Sequence, residues 1–360
     1  MGLNLEEESI SLMDEVKSVI TEAERSSRLT GFFIGNTRKP LPTPVVVGPK
    51  RSSHELVAGS AVVATYEAAR EVASKLDGVV DFIFADAEKK IPRTRWGQDD
   101  AGNIELAVRS ASSKSQILTY KANDLAAQAI DIFVDRLFAN SEKGIGGSEI
   151  AVIGLGSVGS KVALSLAERG ANVRAYRRDS QKLHAIVNGL NLVRPEETLS
   201  EIISSSSALA AAAGAAGIIA ATPGIPVVTA EMVTALNAPA FIIDAGKGCI
   251  DPTAVAIANQ RKISLYRTDI QPAIPGLITA LLENYRASKR GPGRREVAGV
   301  TLVARGLLGE LGDHIVDNTD EPSVYFGTAN GQGEFMSALS QREKQNMLDQ
   351  LLQQISGVTD

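Results

Sequence analysis

Hydrophobic and polar positions alternate between two periods along this chain. Over residues 5–28, Ile10, Met13, Val16, Ile20 and Ala23 recur every three or four positions, which predicts an amphipathic helix. Short unbroken apolar runs follow: GFFIGN (31–36), PVVVG (44–48), VDFIFAD (80–86) and QILTY (116–120), each of strand length. Between the second and third, SAVVATYEAAREVASKL (60–76) reads as a helix. NDLAAQAIDIFVDRLFA (123–139) reads as a second helix, capped by Asn123 or Asp124. Strands alternating with helices predict an α/β domain with a mostly parallel sheet. NSEKGIGGS (140–148) is a Gly- and Ser-rich boundary.

The alternation then becomes regular. Strands are expected at 149–154, 172–176, 190–193, 217–223, 240–246 and 263–267. The intervening helices are expected at 157–169, 179–188, 196–213, 229–236 and 252–260. Six strands joined by right-handed helical crossovers make a doubly wound Rossmann sheet. Beyond it come a helix at 277–287, a polar turn (KRGPGRR, 289–295) and three segments within 297–329 that read as strands or a lid-like excursion. A Gln- and Leu-rich amphipathic helix at 340–355 suggests an oligomer contact. The expected organisation is α/β with two domains and an extension. An N-terminal α/β substrate domain (1–145) includes the joining helix 123–139, and a doubly wound Rossmann domain follows (146–270). A returning helix and a C-terminal helical or extended extension complete the chain (271–360).

Composition narrows the class. The chain is 44% hydrophobic but only 4% aromatic, so its core is aliphatic. A net charge of -5 argues against a general nucleic-acid binder. Cys249 is the single cysteine, which excludes an internal disulfide and a Cys-cluster metal site. His54, His184 and His314 are scattered, and no metal is expected. Residues 204–230 carry no charge, but the run is Ser/Ala/Gly-rich and broken by TPGIP, so it reads as a helix entering a buried strand. The acidic N-terminus lacks the pattern of a signal peptide, and Glu6 stands where a myristoylation signal after Gly2 needs Ser or Thr. A cytoplasmic homo-oligomer acting on a small molecule, with no membrane or nucleic-acid partner, is the expectation.

Gly154, Gly156 and Gly159 form G-x-G-x-x-G between a strand and a helix that opens with Ser157 and Val158. The first glycine permits a tight turn, the second lets backbone approach a pyrophosphate, and the third lets helix lie on strand. The phosphates would meet unpaired amides at the positive end of the helix. The next strand ends at Tyr176, where an NAD-binding protein carries a ribose-binding acid; here Arg177 and Arg178 follow. Guanidinium groups bind phosphate and stack on adenine, so NADP is expected over NAD. Asp179 is the ribose acid if the strand runs longer, and otherwise the N-cap of the next helix. Ligands in this fold lie across the carboxyl ends of the strands, which places Thr222, Pro223 and Gly246 near a nicotinamide.

Hydride transfer needs a placed substrate and a proton carrier. LTYKANDLAAQ puts Lys121 and Asp124 where a strand enters the joining helix, and Lys247 competes from the end of the fifth Rossmann strand. His54, Asp269 and Gln271 are further candidates. Lys50, Arg51, Arg93, Arg95 and Lys121 favour a carboxylate-bearing substrate.

An α/β domain, a joining helix, a Rossmann domain and a returning helix together resemble the shikimate dehydrogenase and methylenetetrahydrofolate dehydrogenase superfamily. Its relatives include the dehydrogenase of pyrrolysine biosynthesis and dipicolinate synthase. KAND ending at Asp124 is similar to the NTD segment whose Asp contacts substrate in shikimate dehydrogenases, and YRRDS looks like their NADP-selecting loop. Their PHK-like lysine context is absent, EKKIPR (88–93) being a poor match, as are the shikimate-binding serine pair and the Tyr-x-x-x-Lys pair of the folate enzymes. The resemblance implies an NADP-dependent oxidoreductase acting on a small polar carboxylate (an amino acid or imine, or a hydroxy or keto acid). A folate-type one-carbon dehydrogenase and a non-catalytic NADP(H) sensor are the alternatives.

Overall fold

A computed structural model describes residues 11–92, 104–289, 293–304 and 306–356; Arg93 and Arg95 lie outside them. The chain divides into two compact units, Met1–Ile278 and Thr279–Asp360.

The first unit contains two sheets. Helix α1 (Leu12–Ser26) precedes β1 (Leu29–Asn36), β2 (Val45–Ser52), β3 (Leu56–Val63), α2 (Tyr66–Leu76), β4 (Phe82–Asp86), α3 (Ile104–Ala111), β5 (Gln116–Tyr120) and α4 (Ala122–Leu137). The strands lie in the order β2-β3-β1-β4-β5, all parallel except the edge strand β2. Strand β1 therefore starts a connection to one side through β3 and is flanked on the other by β4, so the order reverses between β1 and β4.

The second sheet is built from β6 (Glu149–Ile153), α5 (Ser157–Glu168), β7 (Asn172–Tyr176), α6 (Ser180–Val193), β8 (Ile202–Ser204), α7 (Ala208–Ala212), β9 (Gly217–Ala220), α8 (Ala230–Ala235), β10 (Phe241–Asp244), α9 (Pro252–Gln260) and β11 (Ser264–Arg267). Its six parallel strands lie in the order β11-β10-β9-β6-β7-β8, the doubly wound Rossmann arrangement, with its reversal between β6 and β9. Ala127, Ile130 and Val134 of α4 pack with Ile150, Val152, Val162 and Leu166 in one buried cluster, so α4 covers this sheet as well as leaving the first. Each fully buried aliphatic side chain contributes about 1.5–3 kcal/mol through removal from water.

Several expectations are corrected. The helix expected over 60–76 begins only at Tyr66, because 60–63 belongs to β3 and the Thr65 hydroxyl caps the helix by accepting from the Ala68 amide at 3.1 Å. LNLV (190–193) continues α6 and is no strand; Pro195 lies just beyond the helix end, and the third strand is Ile202–Ser204. Asn191 ties the two together, exchanging bonds with the Ile202 backbone at 2.7 and 3.1 Å. The helix expected over 196–213 is reduced to Ala208–Ala212. Neither Asn123 nor Asp124 caps α4: Lys121 holds that position without a side-chain bond.

In the second unit, β12 (Arg294–Val297), β13 (Val300–Val303), β14 (His314–Val316) and β15 (Tyr325–Thr328) form a four-stranded mixed sheet. Residues 294 and 295, expected in a polar turn, start β12. Helix α11 (Gln341–Ser356) buries Leu348 and Leu351 against Leu302, Ala304, Val316 and Tyr325, so the apolar stripe that suggested an oligomer contact is covered within its own unit. Among the described residues no helix is long and apolar enough to cross a membrane.

Candidate functional site

The turn after β6 separates three glycines by what each does. Gly154 has φ +101°, and a Cβ there would stand 2.9 Å from the Ala221 carbonyl carbon. A Cβ on Gly159 would stand 2.1 Å from the Gly154 oxygen. Both are needed for the chain's own packing. Gly156 is different: its backbone is extended, and a Cβ would meet nothing within 4 Å. It is also the N-cap of α5, so no side chain satisfies the first amides at Ser157 and Val158. The combination leaves an open cradle at the positive end of a helix.

That cradle borders a cavity of about 580 Å³ at the reversal between β6 and β9. Its walls are 153–156, 176–179, 221–223 and 225–227, with Arg38 from the loop after β1. Arg177 is half-buried and donates to the Leu155 carbonyl at 2.6 Å, bracing the glycine turn. Arg178 is exposed, lines the cavity and has no polar partner among the described residues. Asp179 caps α6 by accepting from the Lys182 amide at 3.0 Å. That amide, more than the nearby Lys182 and Arg177 charges, holds its carboxyl below the usual range. Thr222 and Pro223 line the cavity; Gly246 stands behind them, where a Cβ would lie 1.7 Å from the Thr222 oxygen.

The loop after β10 is fixed from below. Buried Asp244 accepts the Gly248 amide at 2.7 Å and the Cys249 amide at 3.2 Å. Burial pushes its carboxyl up, but these bonds and Arg267 outweigh burial and hold it low. Lys247 is exposed in left-handed backbone, φ +59°. Lys39 donates to the Gly246 carbonyl at 3.2 Å, joining the loop after β1 to the second sheet.

A polar network occupies the carboxyl ends of β1, β4 and β5. Asn36 donates to Asp86 at 3.2 Å and to the Glu88 carbonyl at 2.8 Å. Lys90 sits between Asp86 and Glu88, 2.8 Å from each. These two carboxylates also receive the first amides of α4, Asp86 from Ala122 at 3.3 Å and Glu88 from Asn123 at 2.8 Å, which is where the missing cap is found. Burial raises the Asp86 carboxyl above its usual range, with Lys90 opposing it. Burial, then the Asp86 charge, raises the phenol of Tyr120.

Lys121 and Asp124 come together 3.1 Å apart, and Asp124 also pairs with Lys161 of α5. Asn123 donates to the Ser157 hydroxyl at 3.2 Å. Lys121 and Asp124 line a separate cavity of about 300 Å³ with Tyr120, Leu125 and Leu277. Lys247 is not among the residues bordering either cavity. Two cations expected at the substrate are engaged elsewhere: buried Arg51 pairs with Asp269 at 2.5 Å, and Lys50 with Glu22 at 2.9 Å. Gln271 donates to the Ser52 carbonyl at 3.1 Å, and His54 is exposed. Arg38, Lys39, Lys89, Lys90 and Lys161 were not singled out by sequence. Their only signal was two basic pairs, RK and KK, directly after apolar strands.

Comparison with known proteins bears on the second sheet. The family described as NAD-dependent glycerol-3-phosphate dehydrogenase N-terminus matches residues 149–266. That span is the Rossmann layer from the first residue of β6 into β11. The dipicolinate synthase of Bacillus halodurans is similar in structure at 17% identity and a TM-score of 0.35, over 71% of this chain and 97% of that one. Glutamate dehydrogenase from Thermus thermophilus is similar at 13% identity and a TM-score of 0.41, over 74% and 70%. L-tryptophan dehydrogenase from Nostoc punctiforme is similar at 16% identity and a TM-score of 0.36, over 66% and 62%. No curated protein matches the chain.

Chemically, the arrangement offers uncapped amides and a free guanidinium along one cavity. At the end of the neighbouring sheet it offers an ammonium held between two carboxylates. Among the described residues no group of His, Cys, Asp and Glu is arranged to hold a metal ion.

Proposed function

We propose that this chain is a nicotinamide-dinucleotide-dependent oxidoreductase that prefers NADP(H) and acts on a small polar carboxylate substrate, an amino acid or imine, or a hydroxy or keto acid. The reading rests on Gly156. A glycine that packing does not require, at an uncapped helix start inside a long cavity, is what a pyrophosphate needs and what an inert turn does not. The matched family, named for NAD-dependent glycerol-3-phosphate dehydrogenase, supports the dinucleotide. Arg178 supports the extra phosphate, because it is free in the cavity while the one nearby acid, Asp179, is committed to capping α6.

In this reading the amides of Ser157 and Val158 hold the pyrophosphate, Arg177 braces the turn, and Arg178 takes the 2'-phosphate. Thr222 and Pro223 flank the nicotinamide, with Gly246 letting their loop close. The bound nicotinamide supplies or accepts the hydride. The proton belongs to a lysine. Lys121, positioned by Asp124, and Lys247 are the exposed candidates, and Lys90 is the better shielded ammonium.

Fluorescence titration with NADPH and NADH, followed by turnover with keto acids with and without ammonia, tests the proposal. NADPH is expected to bind at least tenfold more tightly than NADH and to be oxidised by one substrate class. No binding of either dinucleotide overturns the reading; binding without turnover on any substrate makes the protein a sensor.

A further inference from the structure

The reversal rule that places the dinucleotide at the second sheet applies equally to the first. In an open α/β sheet the crevice lies outside the carboxyl ends of the two strands between which the order reverses. For the first sheet those strands are β1 and β4. Their ends are bound to each other through Asn36 and Asp86, and their following loops carry Arg38 and Lys39 on one side and Lys89 and Lys90 on the other. A cavity of about 390 Å³ opens there, walled by Arg38, Lys89, Lys90, Ile91 and Pro92. Arg38 belongs to this cavity and to the dinucleotide cavity, so the two adjoin at its side chain.

The charges in this crevice are unequal in their commitments. Lys90 is neutralised by Asp86 and Glu88. Arg38 and Lys89 have no ion-pair or hydrogen-bond partner among the described residues. By contrast Lys50, Arg51 and Lys121, the cations that sequence favoured, are each paired with an acid of the chain. Two unpaired cations facing one concavity, beside an apolar wall of Ile91 and Pro92, are complementary to a small anion with a short carbon chain. Arginine offers a planar fork that matches a planar carboxylate.

From this geometry we infer that the crevice between β1 and β4 is the substrate site, and that Arg38 and Lys89 bind the substrate's carboxylate. The inference rests on the oxidoreductase reading for the word substrate, though the anion site stands or falls by itself. Arg38 holds the carboxylate at the border with the dinucleotide cavity. Lys89 closes the crevice from the β4 side. Lys90, fixed between its two acids, presents its ammonium to the group next to the carboxylate.

Oxalate is the probe, being planar, small and doubly carboxylated; oxamide is its uncharged counterpart and inorganic phosphate its tetrahedral one. Calorimetry is run on the full chain with and without NADPH, for the natural protein and for Arg38→Leu and Lys89→Met. Oxalate is expected to bind while oxamide does not, and each variant is expected to weaken oxalate about tenfold or more. Lys89→Met is expected to bind NADPH as the natural protein does, since Lys89 does not line the dinucleotide cavity. Circular dichroism confirms that both variants are folded. Absence of oxalate binding, or equal affinity in all three proteins, overturns the inference and leaves the dinucleotide reading untouched. Phosphate binding more tightly than oxalate overturns the carboxylate assignment. Failure of NADPH to bind while oxalate still depends on Arg38 and Lys89 removes the redox reading and keeps the anion site.

Discussion

Three glycines in one turn carry different obligations, and substitution separates them. Gly159→Ala drives a methyl into the Gly154 carbonyl, since the Cβ would lie 2.1 Å from that oxygen. Overpacking of this kind costs about 1–3 kcal/mol, so a lower melting temperature is expected. Gly156→Ala meets no atom within 4 Å, and its backbone suits any residue. Stability is therefore expected to hold within about 0.5 kcal/mol, while NADPH affinity falls tenfold or more because the methyl occupies the phosphate's approach. Unchanged NADPH titration in Gly156→Ala would place the ligand elsewhere. The arginines divide in the same way. Arg177 is tied to Leu155, whereas Arg178 is free, so Arg178→Ala should act on the ligand alone. Loss of a charge-assisted bond to a phosphate is worth about 1.5–3 kcal/mol, or roughly ten- to a hundredfold in affinity. NADPH should weaken by that factor and NADH by less than twofold; equal weakening of both would assign Arg178 to the shared part of the dinucleotide.

At the scale of elements, what sequence could show was whatever depends on local period, and what it concealed depends on partners. The strand at 149–153, its glycine turn and helix α5 were legible because an apolar run, glycine spacing and helical period all coincide there. Strand β3 was hidden because 60–63 runs without a break into helical sequence, and only the Thr65 cap marks the change. Strand β8 was hidden because its three residues are held by Asn191, a tertiary bond that no period records. The start of α4 was misread because its cap comes from the loop after β4: Asp86 and Glu88 receive its first amides. Lys90 stayed out of view as well, because nothing in the sequence shows that its two neighbouring acids turn inward beneath α4. Asp86 joins these elements, and its titration is testable. Burial raises its folded carboxyl above the ordinary 3.8. The folded state then holds this proton more tightly than the unfolded chain does. The site's contribution is present below 3.8 and is lost as pH rises through the folded value. Asp86→Asn removes that dependence. Denaturant melts between pH 4 and 7 should show the variant gaining on the natural protein as pH rises, even if it is less stable throughout because Lys90 has lost one acid. A difference that stays flat with pH would mean Asp86 is not held protonated by burial.

For the molecule as a whole, the division of labour between the two units yields a further expectation. Every residue walling the dinucleotide cavity and the β1–β4 crevice lies within Met1–Ile278. The second unit has a small core of its own, in which Leu348 and Leu351 of α11 cover Leu302, Ala304, Val316 and Tyr325. Returning two buried leucines to water forfeits about 3–6 kcal/mol, comparable with the whole stability of a small sheet. Ending the chain after residue 340 should therefore unfold 293–340, and limited proteolysis read by mass spectrometry should find cleavage sites there that the full chain protects. The truncated protein should still bind NADPH with the affinity of the full chain, because it retains the cradle at Gly156 and both arginines. If proteolysis of 293–340 is unchanged, the sheet is stable without α11. If NADPH binding is lost together with the helix, the dinucleotide cavity depends on the second unit, and the first unit is not the self-sufficient site that its lining residues imply.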